Sequence, residues 1–227
     1  MYTTVESQPN QFWVLVDIQC TSQLGSTVTP NLDTNSVAVN MKLGDVVTCT
    51  FINGLATRSS QGYWATHFVQ ATDYWDNSAG NRPAGSPTVV SLDLQLQCGA
   101  FDVDDVPKME GGFWSGISQE FPKGKRTDVD QARMQLAQQY EAAVLNNVAF
   151  GSSPGGTVFA DANAAFCGSD KSSMLSYAGI LDIFNTGGGG IPFPDGFINT
   201  PADKKGAEGA ADKAYWNQPT LPGFPAP

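Results

Sequence analysis

The first 55 residues alternate between apolar and polar side chains, as β-strands with one buried face do. The alternation is seen in residues 2–6, 12–18, 36–41 and 46–52. A turn-forming Lys-Leu-Gly-Asp sequence separates the last two segments, so the pattern predicts that they form a hairpin. Four such strands are half of a β-sandwich, which leaves an unpaired edge and a bare apolar face for another segment to cover.

After Gly54 the apolar residues recur mainly at helical spacing. The longest such segment is 127–150, in which Thr127 is suited to cap the helix and Gly151 to end it. Further helices are predicted for residues 64–75, for 158–166, and from Asp170 to the glycine run 187–190. Residues 88–96 alternate and predict a strand.

The last segment, residues 201–227, has a different character. A polar stretch is followed by prolines at 219, 222 and 225, and this period of three is typical of a polyproline II helix with Leu221 and Phe224 on another face. An extended tail is therefore predicted, with a disordered end as the alternative.

The predicted fold class is α+β, with three parts. Residues 1–54 would form a partial antiparallel β-sandwich, residues 55–200 a mainly helical, loop-rich module, and residues 201–227 an extended Pro-rich tail.

Charge excludes one class of partner. The 12 Lys and Arg against 22 Asp and Glu give a net charge of −10, and the densest basic group is only Lys123, Lys125 and Arg126. Nucleic acid is therefore not an expected partner, because phosphate binding needs a basic patch. The sequence has no run of about 18 apolar residues, so no transmembrane segment is predicted. The first residues do not have the pattern of a signal peptide, so none is predicted.

The four cysteines, Cys20, Cys49, Cys98 and Cys167, predict disulfides. They include no Cys-x-x-Cys pair, and the chain has a single histidine, which argues against a zinc site. Three pairings are open in principle, and four buried thiols in a cytosolic protein are the alternative. Because Cys20 and Cys49 fall in predicted strands, we expect them to pair and to leave Cys98 with Cys167.

Three strand segments resemble a known family. Tyr2-Thr3-Thr4-Val5-Glu6-Ser7, Asp17-Ile18-Gln19-Cys20 and the stretch from Leu43 to Asn53 resemble the C-terminal half of the prealbumin-like (transthyretin-like) β-sandwich repeat of bacterial and archaeal cell-surface proteins and pilins. The resemblance covers residues 1–53. It implies a sandwich whose first half is missing from this chain.

Residues 60–185 resemble a helical module that follows such repeats in large secreted surface proteins. Gly62-Tyr63-Trp64-Ala65-Thr66-His67 and the stretch from Gly124 to Leu136 carry this likeness. Together the two resemblances imply an extracellular protein whose missing strands come from a neighbour or from an upstream part of the same polypeptide.

Catalytic motifs are weak in this sequence. His67 stands between aromatic residues and is interpreted as a packed structural side chain, with a general base as the alternative. Residues 151–155, Gly-Ser-Ser-Pro-Gly, match a serine-hydrolase string, but Pro154 lacks the N–H that an oxyanion hole needs after the nucleophile. No catalytic residue is predicted.

Asp102, Asp104 and Asp105 form the densest acidic cluster. Oxygen ligands suit calcium, so a calcium site is one interpretation, although the spacing matches no EF-hand loop. A solvated acidic loop is the favoured interpretation, and no other cofactor is predicted.

These features predict a non-enzymatic extracellular structural protein that assembles with identical subunits into a cell-surface filament, pilus-like fibre or tube. The expected interface residues are apolar and lie near the two ends of the sequence: Tyr2, Val5, Phe12, Trp13, Tyr215, Trp216, Leu221 and Phe224. The alternative is a surface-displayed adhesion or ligand-binding module, calcium-stabilised in one version, at the end of a longer secreted protein whose adjoining domains are its partners. An enzyme ranks third.

Overall fold

The computed structural model describes residues 2–6, 13–31, 34–55, 58–187, 193, 197 and 199–217. It divides the chain into two compact units, Met1–Ala56 and Thr57–Pro227. The first unit is built of strands and the second mainly of helices, so the protein is a mixed α and β structure. The division falls two residues beyond the predicted boundary at residue 54.

The first unit, which we call the β unit, contains five strands within the described residues. They are β1 (Tyr2–Val5), β2 (Trp13–Ser22), β3 (Thr27–Asn31), β4 (Ser36–Asn40) and β5 (Val47–Leu55). All pairings are antiparallel, in one sheet of order β1-β4-β3 and a second sheet of β2 and β5. Sequence reasoning missed β3 because Pro30 and the neighbouring polar residues hide its strand pattern.

The predicted hairpin is wrong. β4 pairs with β1 on one side and β3 on the other, while β5 pairs with β2. Residues 41–46 therefore carry the chain from one sheet to the other instead of reversing it within a sheet. The prediction of a turn is correct, but both edges of β4 are already paired, one with β1 and the other with β3, so β5 cannot pair there.

A small apolar core joins the two sheets of the β unit. Ile18 of β2 and Val37 and Val39 of β4 are buried, and partly buried side chains of β2, β3 and β5 pack around them. Cys20 lies directly opposite Cys49 in the β2–β5 register, with 4.1 Å between their Cα atoms, and the two form a disulfide. Closing a loop of this length stabilises the folded state by about 3 kcal/mol in the chain-entropy picture.

The second unit, which we call the helical unit, is built of seven helices within the described residues. They are α1 (Gln61–Thr66), α2 (Phe68–Trp75), α3 (Val106–Trp114), α4 (Asp128–Phe150), α5 (Val158–Cys167), α6 (Lys171–Thr186) and α7 (Lys204–Ala210). The helices predicted for residues 64–75, 127–150, 158–166 and from Asp170 onward are confirmed, the first of them as two helices that meet at His67.

Helix α4 is central to this unit, because α1, α2, α3, α5 and α6 all contact it. The Thr127 hydroxyl accepts a hydrogen bond from the Asp130 backbone N–H at 3.1 Å, and Gly151 ends the helix in the left-handed conformation. Two short strands, β6 (Gln97–Cys98) and β7 (Phe101–Asp102), precede α3, and a disulfide between Cys98 and Cys167 joins β6 to α5. Both expected disulfides are therefore present.

The strand predicted for residues 88–96 is wrong. Val90–Leu92 form a 3₁₀ turn, and Asp93 follows in the left-handed conformation with φ at 56°. Val89 and Leu96 are fully buried, while Leu92 is exposed. The alternating apolar residues thus belong to a loop that packs on the helical unit through buried side chains, and not to one face of a strand.

The predicted extended tail is wrong for the part of it that the structure describes. Asp203 caps α7, and Tyr215–Asn217 form a second 3₁₀ turn. Trp216 is buried against Phe101, and its indole N–H donates to the Lys108 carbonyl at 2.7 Å. Residues 218–227, with the predicted polyproline segment, lie outside the described residues.

Two adjacent glycines in α3 allow neighbouring segments to approach its backbone closely. A Cβ on Gly111 would lie 2.4 Å from the Asp212 carbonyl oxygen, and one on Gly112 would lie 2.3 and 2.4 Å from the carboxyl oxygens of Glu141 on α4. Both distances are far below van der Waals contact.

We expect Gly112→Ala to destabilise the protein by about 1–3 kcal/mol, because the added methyl must displace a buried side chain. Gly179→Ala in α6 is the matched control, since its Cβ would meet nothing within 4 Å. The control should be neutral or gain up to about 1 kcal/mol from helix propensity. Urea unfolding monitored by circular dichroism measures both, and equal stability of the two variants would contradict the packing described for α3.

Candidate functional site

The β unit has an apolar groove of about 750 Å³. It lies among β1, β4, β5 and the segment that crosses between the sheets. Its lining consists of Tyr2, Thr4, Val37, Val39, residues 41–45, Val47, Cys49 and Phe51. We call this set of residues the β-unit groove.

The groove is located where the two sheets lack further strands. β1 pairs only with β4, and β5 pairs only with β2, so each has one edge without a partner among the described residues. An unpaired edge presents a row of backbone N–H and C=O groups that can pair with another chain. β2 and β3 have an open edge as well, but β1 and β5 are the edge strands that line the groove.

Several large apolar side chains near the groove are exposed to solvent. Tyr2 is 70% exposed, Val46 53%, and Leu43 at the tip of the crossing segment is fully exposed. Val5, the second predicted interface residue on β1, is 64% exposed. An apolar surface of this kind is typical of a binding face.

Asp45 fixes the crossing segment at the groove. Its carboxylate accepts hydrogen bonds from the backbone N–H groups of Leu24, Ser26 and Val46 at 2.7–3.0 Å and from the hydroxyls of Ser22 and Ser26. The carboxylate thus joins the β2–β3 connection to the β4–β5 connection. All of its acceptor capacity is used within the unit.

Burial alone would raise the pKa of the Asp45 carboxyl, but the hydrogen bonds from Ser22, Ser26 and Leu24 outweigh burial and hold the pKa far below its usual range. Asp45 is therefore ionised at any ordinary pH. Its charge is stabilised by hydrogen bonds from neutral donors, and these occupy the carboxylate oxygens that a ligand would otherwise contact.

Lys42 is the other charged residue of the groove, and its backbone N–H donates to the Ser26 hydroxyl at 2.8 Å. The lining contains no His or Ser, and Cys49 is held in a disulfide. The lining is thus mainly apolar, and its polar side chains are Tyr2, Thr4, Lys42 and Asp45. The sequence flagged residues 42–45 as a turn, but nothing in the strand pattern showed that Leu43 and Asp45 would form one side of a groove.

The predicted interface residues fall into three groups. Tyr2 and Val5 are exposed on β1, and Tyr2 lines the groove. Trp13 begins β2, while Phe12, Leu221 and Phe224 lie outside the described residues.

The assignment of Tyr215 and Trp216 to an interface between subunits is wrong. Trp216 is 3% exposed, and the Tyr215 hydroxyl lies 2.9 Å from both the backbone N–H and the carbonyl of Asp102. Their partners are far away in sequence, on β7 and α3, so the sequence pattern offered no buried position for them. Both side chains stabilise the helical unit itself.

Asp102, Asp104 and Asp105, for which calcium was the lesser interpretation and a solvated acidic loop the favoured one, do not converge on a metal site. Asp104 pairs with the Lys108 ammonium group, and Asp105 accepts from the Lys108 backbone N–H at 2.8 Å as the cap of α3. Asp102 accepts from the Gln97 amide. Within the part of the chain that the structure describes, no three His, Cys, Asp or Glu side chains converge in a way that could hold a metal ion.

His67 joins α1 to α2 and stacks on Tyr63, with ring centroids 3.9 Å apart, and its Nδ1 lies 2.8 Å from the Tyr63 carbonyl. This is the packed structural role expected from the sequence. In the Gly-Ser-Ser-Pro-Gly loop the Ser152 hydroxyl is buried and donates to the Asn146 carbonyl, and the Ser153 hydroxyl accepts from the Gly155 N–H. The loop connects α4 to α5.

Comparisons of the chain with protein families, with curated proteins and with solved structures found no match. Among the described residues, no helix is both long enough and apolar enough to cross a membrane. The two disulfides are of the kind found in secreted proteins.

We expect Asp45→Asn to loosen the crossing segment, because an amide would place N–H donors where the carboxylate accepts several. Amide hydrogen exchange at Leu24, Ser26 and Val46 should become about tenfold faster or more at neutral pH. Asp182→Asn, at an exposed position on α6, is the control and should leave these three amides unchanged.

The pH dependence has a defined sign. Because the folded-state pKa of Asp45 lies below its ordinary value, the stabilisation is complete above about pH 4 and is lost only as the pH falls toward the depressed pKa. Protection of these amides in the wild type should therefore persist from pH 7 to pH 4. A loss of protection between pH 7 and pH 5 would contradict the hydrogen-bond network.

Proposed function

We propose that this protein is a non-enzymatic extracellular structural subunit that assembles with copies of itself into a filament, pilus-like fibre or tube. In this proposal a strand of a neighbouring subunit completes the β unit. The observation that carries it is the β-unit groove, in which an apolar lining lies between two strands that each have an unpaired edge.

The size of the sheets supports this proposal. A two-stranded sheet is marginally stable in water, and β2 with β5 forms one. Among the described residues, the apolar core of the β unit has three buried members, Ile18, Val37 and Val39. An added strand would bury more apolar surface and would satisfy the backbone groups of an open edge.

The positions of the resembling residues are also consistent with it. Tyr2–Val5 form β1, Asp17–Cys20 belong to β2, and Val47–Asn53 belong to β5. We propose that the β unit is the C-terminal half of a prealbumin-like sandwich, so that the strands of the first half are what the groove lacks.

A second copy of the chain is the proposed occupant because of charge. Subunits that each carry a net charge of −10 repel one another, so a stable contact requires a surface with little uncompensated charge. The groove meets this requirement, since Asp45 is saturated with hydrogen bonds and Lys42 is the other charged residue of the lining. Leu221 and Phe224, in a stretch without charged side chains, remain predicted contacts.

Addition of a strand to an identical subunit is a head-to-tail contact, because the donating segment and the accepting groove are different surfaces. Such contacts form open polymers unless the rotation between subunits closes a ring. A fibre or tube is therefore the expected product.

The size of the groove supports one alternative function. Its volume of about 750 Å³ falls in the range of pockets that hold small apolar ligands. A surface-displayed adhesion or ligand-binding module would use the same groove without polymerising, or would have it filled by an upstream strand of the same polypeptide.

Substitutions at exposed positions test the assembly. Leu43→Glu places a charge at the mouth of the groove without touching the core, because Leu43 is fully exposed. Ile183→Glu, on the exposed face of α6, is the matched control. In sedimentation velocity and negative-stain electron microscopy we expect polymers for the wild type and for Ile183→Glu, and monomers for Leu43→Glu.

A wild-type monomer at high concentration in which the amides of β1 and β5 are fully protected from exchange would contradict the proposal. A monomer that binds an apolar fluorescent probe, and loses it in Leu43→Glu, would support the binding module instead. Polymers that Leu43→Glu leaves intact would show that assembly uses another surface.

A further inference from the structure

The helical unit contains two carboxyl groups that are fully buried. Glu110 on α3 and Glu141 on α4 are both 0% exposed. None of their four carboxyl oxygens accepts a hydrogen bond of good geometry, although the Trp114 side chain favours the ionised form of Glu110. Buried ionisable groups are normally paired or hydrogen-bonded, so this arrangement needs an explanation.

The two groups lie in the contact between α3 and α4. The Glu141 carboxyl rests directly against the backbone of Gly112, two residues after Glu110, at the position where any larger residue would have its Cβ. An ionised Glu110 would raise the pKa of Glu141 further, so the two carboxyls interact electrostatically across the buried interior. Ionisation of one therefore disfavours ionisation of the other.

Among the described residues, no cation compensates these charges. The half-buried Trp114 side chain lowers the pKa of Glu110 and the Glu110 charge raises the pKa of Glu141, but no lysine or arginine shifts the pKa of either carboxyl. Lys108, on the same helix as Glu110, is held by Asp104 and Asp105. Among the described residues no third ligand joins the pair to hold a metal ion, so protons are the counter-charge that remains.

The elements packed against α3 and α4 carry other ionisable groups. None of these groups shifts the pKa of Glu110 or Glu141. These groups are Tyr63 on α1; Asp73 and Tyr74 on α2; Asp128, Asp130, Arg133 and Tyr140 on α4; Asp161 on α5; Lys171, Tyr177 and Asp182 on α6; Lys204, Lys205 and Glu208 on α7; and Tyr215 in the second 3₁₀ turn.

We propose that the Glu110–Glu141 pair is a proton-dependent latch that holds α3 against α4 in acidic and neutral media and releases it in alkaline media. With protons bound, the two carboxyls are uncharged and fit into the apolar contact. When protons leave to solvent, one or two unpaired charges remain in the interior, and α3 must move to bring water to them.

The direction of the pKa shifts agrees with this latch. Burial raises the pKa of Glu110 to about 8, although hydrogen bonding to Trp114 lowers it in part. Burial and the Glu110 charge together raise the pKa of Glu141 well above its usual value. The folded protein therefore binds more protons than the unfolded chain between pH 4.5 and pH 8. Over that window the free energy of unfolding falls as the pH rises.

Release of α3 would have a wide effect because other segments are anchored to it. The Lys108 carbonyl accepts the Trp216 indole hydrogen bond, and Trp114 donates to the Ala65 carbonyl of α1 at 3.0 Å. The last described turn and α1 thus depend on the position of α3. Exposure of Trp114 and Trp216 would also shift the tryptophan fluorescence to longer wavelength.

The test is the pH dependence of stability in the full chain with both carboxyls replaced, Glu110→Gln with Glu141→Gln. The wild-type melting temperature should fall steadily from pH 6 to pH 9, with a red shift of the tryptophan emission in the native baseline. The double variant should lose most of this dependence and be the more stable protein at pH 9. Glu208→Gln, on an exposed carboxylate paired with Lys213, is the control and should behave as the wild type.

A second measurement does not depend on how the variant folds. Infrared spectra of the wild type at pH 7 should contain the carbonyl band of a protonated carboxylic acid, which disappears when the pH is raised to 10. Absence of that band at pH 7 would overturn the proposal. The proposal would also fail if a folded double variant had the same pH dependence as the wild type.

Discussion

The β unit depends on the requirement that backbone N–H and C=O groups be paired. Its five strands satisfy this requirement only in part, because β1 and β5 each have an edge that no described residue pairs with. The disulfide between Cys20 and Cys49 fastens β2 to β5 within one sheet, and the hydrogen bonds to Asp45 join the connection between β2 and β3 to the connection between β4 and β5. A small unit with so few buried residues is thereby kept in a shape that leaves a groove open.

Sequence patterns identified those elements whose signals are local. Thr127 and Gly151 mark the ends of α4 because capping depends on residues within one turn of the helix. The strands around Cys20 and Cys49 were found for the same reason, since alternation is a local property. The pairing of those cysteines followed once both were placed on strands.

Long-range contacts were not predictable in this way. The burial of Trp216 depends on Lys108, more than 100 positions earlier, and the passage of residues 41–46 from one sheet to the other depends on which strands already flank β4. The surroundings of Glu141 are of the same kind, because neither helix pattern shows that its carboxyl rests against Gly112 of α3. Of the candidate site, the sequence predicted Tyr2 and the turn at 42–45 but not the groove that they share.

The buried carboxyls of the two units make opposite demands on protons. Asp45 stabilises the β unit when it is ionised, because every hydrogen bond it makes is donated to it. Glu110 and Glu141 fit the helical unit when they are protonated, because no hydrogen bond of good geometry is donated to either carboxyl. Both demands are met from moderately acidic to neutral pH, above the depressed pKa of Asp45 and below the raised pKa of Glu110. The hydrogen bonds that a carboxyl accepts, and not its burial alone, thus decide whether the folded protein loses stability in acid or in alkali.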